Sequence, residues 1–431
     1  MNHFQEQYRN KLADVLTALS RIPSGACVGT SLCAMEPRTL LGQMHTLHSK
    51  VSNIRMVGGL ELGSYPYMQD DAYRDTFTVE SMFFLNGSRS SAEKGIASYV
   101  PTDLHSVIAR RSGYNFPNVL LLSGSPMDEH GYFHCSLCQI WERHLLEVCD
   151  LVIIESNPNI PVVGGDTAVH ISQVDYVVEV DTPVPSLPKA QLTETDVAIG
   201  GYIASLINDG DTIQLGIGSI PDAAAMALMN KQDLGVHTEM LTTSIADMVE
   251  AGVVTGRKKT LHNGKIVATF ALGEQKLYDM MNKNTAVEIL RGEYVNSPFV
   301  VAQNDNMVSV NSCVSVDLTG QVNSESIGTR HYSGSGGQVD TAYGAVHARN
   351  GRSIIALSST AKAGTVSAIV PVLAPGAVVT LTRNNVDYVV TEYGIACLKG
   401  RNVRERINNL IGIAHPDFRT ELRREANRYY S

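Results

Sequence analysis

The chain has 431 residues, of which 44% are hydrophobic and 18% charged, and its formal net charge is −9. That length exceeds one ordinary core and points to two domains, while the apolar share excludes wholesale disorder. An acidic chain lacks the basic face that a phosphate backbone demands, so nucleic acid is excluded as a partner. A small anionic ligand, which needs only local amides and a cation or two, is not excluded. The seven cysteines (Cys27, Cys33, Cys135, Cys138, Cys149, Cys313 and Cys397) are odd in number and scattered, which fits free thiols in a reducing compartment. The opening "MNHFQEQYRNKL" is polar, with no signal-peptide core, and no run reaches the ~18 apolar residues of a membrane helix. The expectation is a cytoplasmic protein with no membrane partner.

In chain order, "RTLLGQMHTLHSKV" carries apolar residues at helical spacing, and "NIRMVGG" and "NVLLLSG" read as strands buried on both faces. "IWERHLLEVCD" is again helical, and "LVIIESN" and "VDYVVEV" are strands. Near residue 182 the texture changes: "DTPVPSLPKAQLTETD" holds three prolines and no apolar period, and reads as a linker. Thr193 or Thr195 is placed to cap the helix "DVAIGGYIASLI". The alternation then restarts with "DTIQLGIG", "KIVATFALG", "SIIALSS", "AVVTLTR" and "VDYVVTE". The pattern predicts an α/β fold: two open, mainly parallel-sheet domains, residues 1–185 and 186–431.

Two glycine-rich turns stand out. In "TIQLGIGSIPDAAAMAL" a strand runs into Gly216, Ile217 and Gly218, and Ser219 and Ile220 lead into a helix opened by Pro221. Free amides at a helix start favour negative charge. The stretch lacks the Gly-Lys-Ser/Thr of a Walker loop and the third glycine of a dinucleotide loop, so a simple turn is an equal alternative. The second turn, "HYSGSGGQVD", contains Gly334, Gly336 and Gly337. It is either a flexible loop or, together with the first, a source of two backbone N–H groups for one oxygen, as an oxyanion hole requires.

Between them lies "LGVHTEML", in which the lone carboxylate Glu239 stands among apolar neighbours. It reads either as an inert, hydrogen-bonded acid near a helix start or as a nucleophile. His237 beside it fits a packed histidine, and Glu325 in "GQVNSESIG" is a rival carboxylate. In "DEHGYFHCSLCQ", His130, His134, Cys135 and Cys138 crowd together, but no second ligand pair stands at zinc spacing, so no metal site is expected. Hydrolase elbows and zincin motifs do not occur.

The order "LGIGSIP", "GVHTEM", "DLTGQVNSESIG", "SGSGGQVD", "IIALSSTAKAGTVSAIVP" and "VDYVVTEYGIACLKGRNVRERINNLIGIAHPDF" resembles the acetyl-CoA hydrolase/transferase family, in particular its 4-hydroxybutyrate and butyrate–acetate coenzyme A transferases. The similarity runs from "CAMEP" to "HPDF", nearly the whole chain. The resemblance implies an active site between two α/β domains, the acyl pocket on the N-terminal side, and a homo-oligomer. It implies that Glu239 is the nucleophile of a coenzyme A transferase. The amides of Ile217 and Gly336 would form the oxyanion hole, and Gly216 to Ile220, Gly336, Gly337 and Lys362 would line the coenzyme A site. Coenzyme A and acyl-CoA enter as substrates, with small carboxylates as partners and no tightly bound cofactor. An acyl-CoA hydrolase using the same glutamate and a non-catalytic coenzyme A sensor are the competing readings.

The chain departs from that pattern in four places. Thr242, Thr243 and Ser244 replace a common Ser-Asp-Gly, Ala368 replaces an arginine, Thr341 a phenylalanine and Met35 a smaller residue. Met35 either fills core or shortens the acyl pocket.

Overall fold

The computed structural model describes residues 2–111 and 113–430. They fall into two compact units: residues up to Leu187 together with Ala268–Tyr294, and Pro188–Val267 together with Val295 onward. The stretch 268–294, expected in the second domain, therefore packs in the first. Its strand Val287–Ile289 pairs in parallel with Gly164–Gly165 of that unit, and such pairing outweighs order along the chain.

The first unit is built on a seven-stranded parallel sheet. Its strands are β1 (Cys27–Thr30), β2 (Ile54–Gly58), β3 (Phe77–Ser81), β4 (Ala97–Tyr99), β5 (Val119–Gly124), β6 (Leu151–Ser156) and β7 (Tyr176–Glu179). The order across the sheet is β7-β6-β5-β1-β2-β3-β4. Every residue of β5 is buried, as expected of a strand covered on both faces. Val28, Met56, Val79, Leu121 and Ile153 share one core cluster on this sheet.

The second unit carries β8 (Thr212–Leu215), β9 (Gly235–Leu241), β10 (Met307–Ser312), β11 (Arg352–Ala356), β12 (Tyr388–Thr391) and β13 (Gly394–Cys397), in the order β13-β12-β11-β10-β8-β9. The β8–β9, β8–β10, β10–β11 and β11–β12 pairs are parallel, and the β12–β13 edge is antiparallel. Its helices include α1 (Glu194–Ser205), α2 (Ser219–Ala227), α3 (Thr243–Glu250) and α4 (Gln338–His347). Thr193 caps α1, its side chain accepting from the Asp196 amide in a reciprocal box.

Two predicted elements differ. The helical pattern at 38–51 breaks into an α-helix at Arg38–Gln43 and a 3₁₀ turn at Met44–Leu47. "AVVTLTR" is no strand: Leu381 makes one isolated bridge to Val322, and Val378 and Val379 are exposed. A β-prone run becomes a strand only where a neighbouring strand accepts it. Among the described residues, no helix is long and apolar enough to cross a membrane.

The contact between α1 and α2 depends on one missing side chain. A Cβ at Gly200 would lie 2.6 Å from the Ala223 backbone, whereas one at Gly201 meets nothing within 4 Å. Gly200→Ala should cost about 1–3 kcal/mol, while Gly201→Ala should be neutral or gain roughly 0.5–1 kcal/mol. Urea unfolding midpoints of the two variants check this pair.

Candidate active site

Glu239 lies in a strand, β9. Parallel strands project alternate residues to one face, so His237 and Glu239 point the same way. The Glu239 Oε2 accepts 2.9 Å from Asn296 Nδ2, and the carboxylate also accepts the Gly337 backbone N–H. Gly337 is the N-cap of α4, with φ −97°, so its conformation is open to any residue. Space is what demands glycine there: a Cβ would sit 1.8 Å from Glu239 Oε2 and 2.1 Å from Asn296 Nδ2.

The electrostatics oppose one another. Removal from water pushes the Glu239 carboxyl up, and Asp340 in the first turn of α4 pushes it further, while Asn296 and the Gly337 amide pull it back. The net position is about 7, against 4.5 for the free side chain. Donors that bond the charged form thus offset only part of the desolvation. The residue as a whole keeps partial solvent exposure, although its carboxyl group is desolvated. His237 is 1% exposed, and its Nε2 lies 2.8 Å from the Val295 carbonyl.

The other expected residues fall as follows. Gly216 donates its amide to the Val310 carbonyl at 3.1 Å. Gly218, with φ +113°, is the N-cap of α2, and Ser219 and Ile220 are its first residues. Ser219 Oγ donates to Asp196 at 2.8 Å, so its hydroxyl proton is committed to α1. Among the described residues, neither the Ile217 nor the Gly336 amide donates to a backbone carbonyl. Gly336 adopts φ +52°, a left-handed turn suited to glycine. Lys362 is exposed at the turn of the hairpin Thr360–Ala361/Val366–Ser367. Glu325 is buried in the loop after Val322–Asn323, and its carbonyl accepts the Tyr332 amide at 2.8 Å.

Two contacts of Glu239 escaped the sequence reading. Asn296 is 57 positions away in the chain and sits in "YVNSPF", which reads as an ordinary turn. Asp340 ends the stretch "SGSGGQVD", but its effect on an acid remote in sequence leaves no local mark.

The first unit has its own buried carboxylates. Glu36 accepts from the Leu62 and Gly63 amides (2.9 and 3.0 Å) and the Tyr65 hydroxyl (3.0 Å). Burial raises it to about 8. Glu61, raised by burial to about 7, accepts from Ser81 and Ser88 at 2.9 and 2.7 Å. The cavity they line holds about 10 Å³, room for roughly one water. Met35 is fully buried and does not line it. Cys135 and Cys138 are buried, with thiols held protonated by desolvation. Among the described residues, no three His, Cys, Asp or Glu side chains are grouped to hold a metal ion.

Residues 1–188 match the family described as "Acetyl-CoA hydrolase/transferase N-terminal domain", and residues 273–426 match its C-terminal domain. The chain is 42% identical over 429 residues to a succinyl-CoA:cyclohexane-1-carboxylate CoA transferase of Geobacter metallireducens, covering 99% of this chain and 97% of that protein. It is 42% identical over 423 residues to the 4-hydroxybutyrate coenzyme A transferase of Clostridium kluyveri, covering 98% of each. Among solved structures, RipA from Yersinia pestis superposes with a TM-score of 0.91 at 34% identity, covering 99% of both chains. A 4-hydroxybutyrate CoA-transferase from Porphyromonas gingivalis superposes with a TM-score of 0.84 at 34% identity, covering 99% of this chain and 100% of that one.

The shifted carboxyl has a consequence for stability. An acid raised in the folded state holds its proton there while the unfolded chain has released it. Stability tied to this group is therefore complete below about 4.5 and is lost as pH rises through about 7. Glu239→Gln, which cannot titrate, should gain stability over the parent across that window and hold a constant advantage above it. Paired denaturant curves at pH 4.5, 6 and 8 measure the difference, and an advantage that does not grow with pH contradicts the shift.

Proposed function

The chain belongs to the acetyl-CoA hydrolase/transferase family and is an enzyme that transfers coenzyme A, and we propose that it does so by ping-pong chemistry through a thioester on Glu239. The observation that carries the reading is the Glu239 carboxylate itself: desolvated, raised to about 7, and aimed by the Asn296 amide and the Gly337 N–H. The substrates are a short-chain acyl-CoA and a carboxylic acid of the 4-hydroxybutyrate, butyrate or acetate type, the class that the relatives' names describe.

The chemistry follows from the groups. A carboxylate is a weak nucleophile and a thioester a fairly good electrophile. Glu239 attacks the acyl carbonyl, the C–S bond breaks, and an acyl-glutamyl anhydride and the coenzyme A thiolate result. The thiolate attacks the glutamyl carbonyl, giving a glutamyl-CoA thioester and the free acid. A second acid reverses both steps. Each exchange trades like bonds for like, so no ATP or metal is required. The passing oxyanion needs two donors, for which the uncommitted amides of Ile217 and Gly336 are suited. Gly216 to Ile220, Gly336, Gly337 and Lys362 would hold the coenzyme. Desolvation sharpens the nucleophile and protects the anhydride from water.

Incubation with butyryl-CoA and no acceptor should leave coenzyme A bound covalently to the protein. Borohydride should then reduce the thioester, and peptide mapping should place the change at Glu239. Label at Glu325 would move the nucleophile there. A protein that only releases free acid and coenzyme A, with no faster turnover when acetate is added, is a hydrolase. Because the carboxylate must be ionised, kcat/KM should rise with pH through about 7.

Gly336→Ala should strain the left-handed turn and displace its amide, lowering kcat by roughly 100–1000-fold while coenzyme A affinity changes little. Near-native turnover in a folded variant would remove that amide from the oxyanion hole.

A further inference from the structure

His237 and Glu239 occupy the same face of β9, two residues apart, and each grips one of two consecutive residues of the facing segment. Glu239 takes the Asn296 side chain and His237 takes the Val295 carbonyl, at 2.9 and 2.8 Å. We propose that His237 is a positioning residue for the nucleophile: its Nε2–H fixes the Val295–Asn296 peptide, and through it the amide that orients Glu239. The proposal rests on the glutamyl reading above.

Three observations support it. A carbonyl can only accept, so the contact requires the proton on Nε2. The Nδ1 atom is buried and has no hydrogen-bond partner, so the neutral tautomer is the one that the site accommodates. The charged groups around it agree. Burial lowers the imidazole to about 3, and the Lys259 cation, with a smaller contribution from His262, opposes a second positive charge. Lys259 is itself buried, donating to the Val236 and Lys265 carbonyls at 2.8 and 2.9 Å. Glu239 is the acid on the same strand. The imidazole thus stays a neutral, single-purpose donor across the range in which Glu239 titrates. A clamp of that kind leaves the acid limb of the reaction to the carboxylate alone.

The segment is also one that needs a clamp. Val295 ends the one-turn helix Gly292–Val295, and Asn296 precedes the turn that opens the helix Pro298–Val301. Residue 296 has no regular ladder of its own to set its side chain to the ångström, whereas catalytic geometry demands it.

The test is the rate at which full-length protein acquires coenzyme A on Glu239 from butyryl-CoA in a single turnover, followed by intact mass between pH 5.5 and 8.5. It compares the parent, His237→Leu, His237→Gln, Asn296→Ala and the double variant His237→Leu/Asn296→Ala. His237→Leu removes the donor at similar volume and should slow adduct formation by about 100-fold. Its pH midpoint should rise, because Glu239 loses a bond to its charged form, while coenzyme A affinity is kept. His237→Gln, which can place an N–H near the Nε2 position, should restore most of the rate and the parental midpoint. Since His237 acts through Asn296, the double variant should be no slower than Asn296→Ala alone. If His237→Leu does not fold, His237→Asn, with an amide too short to reach the carbonyl, takes its place. A parental rate and midpoint in the donor-less variant, or independent multiplication of the two effects in the double variant, overturns the proposal and leaves the glutamyl reading intact. A parent protein that forms no adduct on Glu239 removes both.

Discussion

Glu239 can rest against the amide of residue 337 only because that residue has no side chain. With a Cβ there, the carboxylate oxygen and the Asn296 amide would both lie within about 2 Å of it, far inside contact distance, and one of the three would have to leave. Much around the site follows from this. The strand must bring Glu239 up to the start of α4, the loop before α4 must deliver a bare amide, and Asn296 must approach from a third segment. At Gly337 the glycine is therefore a space requirement written into the sequence.

A raised carboxyl alone would not single out this acid. Glu36, Glu61, Glu142 and Glu155 in the first unit are also pushed up by burial. They differ in how they are spent. Glu36 and Glu61 each answer several donors inside a cavity the size of one water. Glu142 braces the Leu32 and Trp141 amides, and Glu155 the Leu40 amide. Glu142 thereby ties the start of the helix Glu142–Val148 to the segment after β1, and Glu155 ties β6 to the helix Arg38–Gln43. Glu239 alone among these five retains partial exposure of the residue. Perturbation marks many buried acids, so a raised carboxyl does not by itself identify a nucleophile.

The sheets were legible where the chain spells strands as uninterrupted apolar runs, as at Leu151–Ser156, and the cap at Thr193 was legible because its partner Asp196 lies three residues on. The reading failed where context decides: 377–383 has the composition of a strand but gains only a single bridge, and 268–294 joins a unit that sequence order does not suggest. The site divides the same way. Glu239 was visible as a lone acid among apolar neighbours and the glycines as a dense turn, whereas the strand that carries Glu239 was not read. Asn296 and Asp340 were not, because what they contribute depends on meeting a carboxylate remote in sequence, which no local pattern encodes. The resemblance to a known family pointed to Glu239 but not to the Asn296 side chain that bonds it.

Thr341 shows how a departure from that family's pattern is accommodated. Its hydroxyl lies 3.0 Å from the Gly337 carbonyl, 3.0 Å from Ser309 Oγ and 3.3 Å from Asn311 Nδ2. Ser309 in turn donates to Gln214 at 2.9 Å. The first turn of α4 is thus tied to the middle of β10 and β8 by a buried polar chain rather than by an aromatic ring. A hydroxyl in an apolar core would be costly alone. Here each member finds a partner, and the turn that presents the Gly337 amide is fixed to the sheet by directional bonds. Directional bonds fix an orientation as well as a distance, and orientation is what an amide aimed at a carboxylate requires.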